Sequence, residues 1–320
     1  MDSFVFAVCQ FGAEQPLKQR LLAAQPAYRL AFSRPGLLTL KWTDPSAAIE
    51  IPAGVLVRLA GHGIGSARSE SAAECFAKIW EMAEATRTAA SLPQWDAIHV
   101  FERDRELPGS RDFEPGESEL TDTIAGFIRD ELAKLGCNIP VNETVSIGQN
   151  ILDIVLAEPN QWLAGRHKAR SVQETWPGAV PPIVEPEEMV SRAYLKLAEA
   201  LLWSGFPIGF QSRVVEIGSA PGGACQRLLD LGCIVTGVDA AEMDERLLAN
   251  ANFEHWRSKA AAVKRKLYKK FQWLVCDANV APNYTLDVVG DIVTHADSRI
   301  EGMLLTLKLS SVGQLKAGTR

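Results

Sequence analysis

Residues Val214 to Asp239, VVEIGSAPGGACQRLLDLGCIVTGVD, decide how the chain is read. The stretch predicts a buried strand (RVVEIG), a Gly/Pro turn (SAPGG), a helix (ACQRLLDLG) and a second strand (CIVTGVD). Small residues at Gly218, Ser219, Ala220, Gly222 and Gly223 let a ligand lie against the backbone. Asp239 ends the second strand, 21 residues after Gly218. A carboxylate there can take both hydroxyls of a ribose. The turn is GSAPGG and not GxGxxG, and Pro221 stiffens it and removes one N–H donor. Such a loop suits a nucleoside cofactor with no pyrophosphate to cradle, which favours S-adenosylmethionine over a nicotinamide dinucleotide.

Working outward, more strands and helices alternate on both sides. EEMVSRAYLKLAEALLWSG is expected to be a helix, with Leu195, Ala198 and Leu202 on one face and Lys196 roughly opposite. FQWLVCDANVAPN reads as a strand with Asp277 at its carboxyl end, and GMLLTLKLS as another ending near Lys308. A helix is expected from about Leu286 to Arg299. The run MDERLLANANFEHWRSKAAAVKRKLYKK is also expected to be helical. Alternation of this kind implies a doubly wound parallel sheet, whose ligands sit beyond the carboxyl ends of its strands. Glu216, Gly218, Asp239, Asp277 and Lys308 all fall on or beside that edge.

The N-terminal half reads differently. FVFAVC, YRLAFSRPGLLTLKW, the segment after Ile49 and DAIHVFERD are strand candidates, and AEQPLKQRLLAA and SESAAECFAKIWEMAEATRTAA are helix candidates. GHGIGS at 61–66 is read as a flexible turn, since its strand–turn–helix context is blurred. After the polar loop RELPGSRDFEPG, a helix opens at Ser118 or Thr121, followed by β-like runs NETVSIGQN and ILDIVLAE and then QWLAGRHKARS. The expected division is an α+β module at 1–104, a second at 105–175, a proline-rich linker at 176–186 and an α/β domain at 187–320.

Composition is that of an ordinary globular chain, with 47% apolar and 22% charged residues. No apolar run is long enough to span a bilayer and no signal peptide is legible, so a cytoplasmic protein is expected. The six cysteines are scattered without CxxC spacing or a histidine at metal spacing, so neither a disulfide framework nor a metal site is expected. Net charge is −6, yet Arg257–Lys270 holds seven Lys/Arg and no acid. A second cluster, Arg166, His167, Lys168 and Arg170, follows Trp162. Local basic patches attract phosphate even on an acidic protein, because screening confines each field to about a Debye length. Arg166, Lys168, Arg170, Lys264, Arg265, Lys266 and Lys269 are therefore candidate RNA contacts, with a solvated helix face as the alternative.

SRAYLKL (191–197), EIGSAPGG (216–223), VD (238–239), CDANVAPN (276–283) and LKL (307–309), in this order, resemble the FtsJ-type RNA 2′-O-ribose methyltransferases. Within them the chain is similar to the ribosomal large-subunit methyltransferase M type. The resemblance implies a Rossmann-like methyltransferase domain using S-adenosylmethionine, preceded by RNA-binding modules that include a THUMP domain. It also implies a 2′-hydroxyl of 23S rRNA, on a cytidine, as the methyl acceptor. The cofactor would rest on Glu216, Gly218–Gly223, Asp239 and Asp277. Of the family's Lys–Asp–Lys–Glu tetrad, Lys196, Asp277 and Lys308 match by motif. A ribose hydroxyl is a weak nucleophile, so catalysis needs positioning and the handling of one proton. Lys308 is the expected base, with Lys196 and Asp277 orienting it. The tetrad's Glu has no counterpart in SSVGQLKAGTR (310–320), so the C-terminal strands are expected to be missing and the domain truncated. A catalytically silent RNA-binding protein and a small-molecule methyltransferase are the competing readings.

Overall fold

The computed structural model describes residues 4–111, 113–116 and 118–307. It divides into two compact units, Met1–Pro182 and Ile183–Arg320.

The first unit is built on one seven-stranded sheet. Its strands are β1 (Phe4–Val8), β2 (Tyr28–Arg34), β3 (Leu37–Trp42), β4 (Leu59–Arg68), β5 (Ala97–Glu102), β6 (Asn150–Glu158) and β7 (Gln161–Lys168). Their spatial order is β2-β3-β1-β4-β7-β6-β5; β5 and β6 pair in parallel, and the other pairs are antiparallel. Residue 104, the expected module boundary, lies just beyond β5, and strands from both sides of it share this sheet. The helices are α1 (Glu14–Ala24), α2 (Ala72–Ala89) and α3 (Glu119–Lys134). Leu17 and Leu21 of α1 bury against Val5, Ala7, Leu38, Leu40 and Ala60. Residues of α2 and α3 bury against Ile98, Leu152, Trp162 and Ala164. Both of the N-terminal signals proposed for α3 are used: Thr121 N–H donates to Ser118 Oγ (3.2 Å), and Ser118 N–H to Thr121 Oγ1 (2.6 Å).

Three sequence expectations fail in this unit. The glycine-rich stretch is no turn but part of β4, and the strand expected after Ile49 begins only at Leu59. A Cβ on Gly63 would enter the ring of Phe4, and one on Gly61 or Gly165 would press on Phe6. The glycines therefore clear space for two aromatic rings lying across the sheet. NETVSIGQN forms loop and turn up to its last residue, Asn150, which opens β6, while QWLAGRHK forms β7. In the proline-rich segment, short 3-10 turns cover 173–175 and 177–179, and Trp176 and Ala179 are buried.

The second unit is a five-stranded sheet of β8 (Arg213–Ile217), β9 (Ile234–Asp239), β10 (Phe253–Arg257), β11 (Trp273–Cys276) and β12 (Gly302–Leu305). The order is β10-β9-β8-β11-β12, parallel throughout. Its helices are α4 (Ala193–Ser204), α5 (Gly223–Asp230), α6 (Glu245–Leu248) and α7 (Pro282–Val293). The sheet is a Rossmann-like α/β arrangement, and β8 and β11 flank the point where strand order reverses. The long helix expected after Met243 is absent. Only α6 forms, followed by edge strand β10 and two 3-10 turns. Local Lys/Ala content favoured a helix. Packing Trp256 against Tyr268 and Phe271 (ring centroids 5.8 and 5.7 Å) and pairing β10 with β9 won instead. The buried face of α4 is Tyr194, Leu197 and Ala198, whereas Leu202 is exposed.

Candidate active site at the switch point of the parallel sheet

Buried Val214 and Val215 make β8 a central strand, and its carboxyl end delivers the loop Gly218–Gly222 to the switch point. Gly218 adopts φ +75°, and its N–H donates to Val238 O at 3.0 Å. A Cβ there would lie 2.8 Å from Ala278 Cα, so the loops following β8 and β11 touch only because this residue is glycine. The Ala220–Pro221 peptide is cis. Asp239 ends β9 and holds the same loop: its Oδ2 accepts from Ala220 N–H (3.2 Å) and its Oδ1 from Ala241 N–H (2.9 Å). Each of those oxygens keeps a second lone pair.

Lys196, on α4, and Asp277, just past β11, are 81 residues apart in sequence and meet at the same edge. Lys196 Nζ donates to Asp277 Oδ2 at 2.9 Å. The lysine side chain is 48% exposed and the aspartate's 10%, so the carboxylate is fixed in the protein while the ammonium reaches toward solvent. Lys196, Ala200, Ala224, Asp277 and Thr306 line a small pocket beside the pair. Lys308 lies outside the described residues.

The remaining loop residues are not equivalent. Ser219 is buried, with its hydroxyl 3.5 Å from Met243 Sδ, so it offers a ligand only its backbone. Glu216 is 1% exposed and lies beneath the loop, which corrects its expected place as a cofactor contact. The Cys225 backbone N–H and thiol donate to it, while Oε2 finds no partner among the described residues. Burial, reinforced by the charges of Asp277 and Asp239, pushes its carboxyl up to about 8.

Sequence reasoning singled out SRAYLKL but gave a role only to Lys196. The geometry adds Ser191 and Tyr194. A Cβ on Gly223 would lie 2.3 Å from Ser191 Oγ and 3.0 Å from Tyr194 N, so the first turns of α4 and α5 pack backbone to backbone. Tyr194 Oη donates to Asp230 Oδ2 (3.0 Å) and accepts from Arg227 (3.3 Å), and Gln226 accepts from Val190 N–H (2.9 Å). These bonds set the azimuth of α4 and hence the reach of Lys196. The signal in the sequence was Gly223 following Gly222, a glycine more than the cofactor turn itself requires.

The proposed RNA contacts separate by environment. Lys264, Lys266 and Lys269 are exposed. Arg265 turns inward, donating to Ala260 O (2.9 Å) and Val263 O (3.0 Å) and pairing with Asp291, which makes it a brace of its own loop. In the first unit, Lys168 is exposed, Arg166 is half-buried and Arg170 is bound to Glu174 at 2.7 Å. His167, from the same cluster, is buried between Asp153 Oδ2 (2.7 Å) and Glu174 O (2.9 Å), so it belongs to the core.

Among the described residues no cluster of three or more His, Cys, Asp or Glu could hold a metal, and no helix is long and apolar enough to cross a membrane. Residues 189–316 match the model of the FtsJ-like methyltransferase family. The ribosomal RNA large subunit methyltransferase M of Marinobacter nauticus is 29% identical over 196 residues, 54% of this chain and 53% of the relative. That of Azoarcus sp. is 29% identical over 164 residues, 49% of this chain and 43% of its own. The chain thus spans about half the length of the curated relatives it matches. Among solved structures, TrmN from Thermus thermophilus aligns over 91% of this chain and 83% of its own at 14% identity, with a TM-score of 0.32, too low to carry an argument. Ordered motifs, the parallel sheet and the family match agree: residues 189–316 of this chain are similar to the FtsJ-like methyltransferase family, on a Rossmann-like sheet.

Proposed function

We propose that the chain methylates a ribose 2′-hydroxyl of large-subunit ribosomal RNA, on a cytidine, using S-adenosylmethionine. The observation that carries this reading is the Lys196–Asp277 pair, held at 2.9 Å beside the Gly218–Gly222 loop. The cofactor's chemistry suits the residues present. Asp239 has lone pairs for a ribose diol, and the glycine loop exposes backbone. Asp277 lies within reach of the same edge. When bound, S-adenosylmethionine supplies a methyl group already activated by a sulfonium, so the protein has little bond polarisation to do. The chain's task is to place the hydroxyl in line and to manage its proton. Asp277 anchors the Lys196 ammonium, which can orient the acceptor oxygen and stabilise the charge left as its proton departs. Lys308 is proposed as the proton acceptor. Lys264, Lys266 and Lys269, with Lys168, would hold RNA phosphates, and a cytoplasmic location follows from an rRNA substrate.

Labelled methyl transfer to unmodified rRNA, followed by digestion to nucleosides, tests the reading. The product should be a 2′-O-methylcytidine. Lys196→Ala and Asp277→Asn should each lower the rate by about 10²–10⁴-fold, with Lys196→Ala leaving cofactor affinity within a few-fold. A base-methylated product would overturn the chemistry. RNA binding without turnover, unchanged in both variants, would favour a catalytically silent RNA-binding protein.

A further inference from the structure

In the first unit, strand register places all three helices on one face of the seven-stranded sheet. Ala7 pairs with Ala60 beneath α1, His62 pairs with Arg166, and Arg166 alternates with Ala164 and Trp162 beneath α2 and α3. Among the described residues the opposite face carries no α-helix. Around Val155, Phe101 and Leu163 it is closed by Ala179 and its neighbours. Toward β2 it opens into a cleft lined by Phe4, Phe32, Thr39, Lys41, Ser66 and Gln161.

The same registers assign the charges. Arg29 pairs with Lys41, Phe32 with Thr39, Arg34 with Leu37, Ser66 with Leu163, and Arg68 with Gln161. Arg29, Arg34, Lys41 and Arg68 therefore share the open face with the partly exposed rings of Phe4 and Phe32, and all four cations are exposed. Among the described strand positions on this face, the acids are Asp153, buried against His167, and Glu158, which engages Arg103 (3.1 Å) and lies 3.9 Å from Arg34. Arg34 already stacks its guanidinium 4.7 Å from the Phe32 ring centroid. The Phe4 ring occupies the space that a Cβ on Gly63 would need.

We infer that this helix-free face is a platform for single-stranded RNA. Bases stack on Phe32 and Phe4, phosphates lie along Arg29, Arg34, Lys41 and Arg68, and Ser66 and Gln161 supply hydrogen bonds to base edges. Aromatic rings on an open sheet ringed by cations meet both needs of an unpaired strand, a π-face and charge neutralisation. A peptide partner would use the apolar floor but would gain less from a rim whose exposed charges are mainly basic. The inference rests on the proposed rRNA substrate and assigns part of its recognition to the first unit.

The test is binding of a short single-stranded RNA to the full chain across a salt series. Arg29→Gln/Lys41→Gln should weaken binding and reduce the slope of log K against log salt by about 1.4, the loss of two phosphate contacts. Phe32→Leu should cost about tenfold with little change of slope, and should not affect an abasic strand. Arg20→Gln/Lys78→Gln, which removes equal charge from the exposed sides of α1 and α2, should leave binding near wild type. Equal weakening by both double variants, equal affinity for duplex RNA, or no effect of either platform change would overturn the platform. In those cases rRNA methylation by the wild type would still stand. Intact platform binding without any methyl transfer would sink the enzymatic reading and leave the platform.

Discussion

Glu216 is a carboxylic acid that belongs to the loop above it and not to a ligand. Its ordinary value of 4.5 rises to about 8, so it is protonated at neutral pH in the folded protein and ionised in the unfolded chain. The stabilisation it permits is fully present below pH 4.5 and is lost as pH climbs through about 8, a ceiling of about 5 kcal/mol. Glu216→Gln keeps the shape without the titration. Thermal melts should show the variant gaining on wild type steadily between pH 5 and 8, and a constant difference would refute the assignment. Lys196 has the opposite character, its side chain half-exposed and its ammonium tip held by Asp277. SRAYLKL and CDANVAPN named Lys196 and Asp277 as candidates for one site, and only the fold brings them into direct contact at 2.9 Å.

At the scale of elements, the first turns of α4 and α5 work as one part. Gly223→Ala would drive a methyl group against Ser191 and the Tyr194 backbone. The expected cost is about 1–3 kcal/mol in chemical denaturation, with a loss of methyl transfer larger than the loss of cofactor affinity, since Lys196 is displaced while the loop remains. In the first unit, His167 ties β7 to Asp153 of β6 and to the carbonyl of Glu174. Nε2 donates to that carbonyl, so a proton on Nδ1 facing Asp153 would make the ring a cation. Burial opposes this charge, but Asp153 and Glu174 together outweigh it and raise the histidine above 6.5. Stability from the pair is therefore complete below pH 6.5 and lost as pH rises through the raised value. His167→Gln should abolish that dependence. Hydrogen exchange at 173–179 would report it locally, quickening with pH in wild type and not in the variant.

At the scale of the molecule, each unit has its own sheet and its own buried clusters. A ligand seated on the Gly218 loop should therefore stabilise residues 183–307 selectively. At a hundred times its dissociation constant, S-adenosylmethionine should add about 2.7 kcal/mol to that unit's unfolding. Hydrogen exchange read on β8 and β9 should slow, while β1 and β4 stay unchanged, and uniform protection of both sheets would contradict this picture. Strand, turn and carboxylate in 214–239 were legible from the sequence because each depends on neighbours within a few residues: apolar runs, glycines that tolerate positive φ, and an acid at a strand end. The ordered motifs likewise made the methyltransferase domain readable. Other features were settled by partners distant along the chain. Phe4 and Phe6 turned a glycine-rich stretch into strand β4, Tyr268 and Phe271 drew Phe253–Arg257 out of a helix, and burial made Glu216 a neutral prop. Local periodicity records what a segment prefers when it stands alone. That Lys196 and Asp277 touch, and which face of a sheet goes uncovered, depends on burial and pairing that exist only once the strands are assembled.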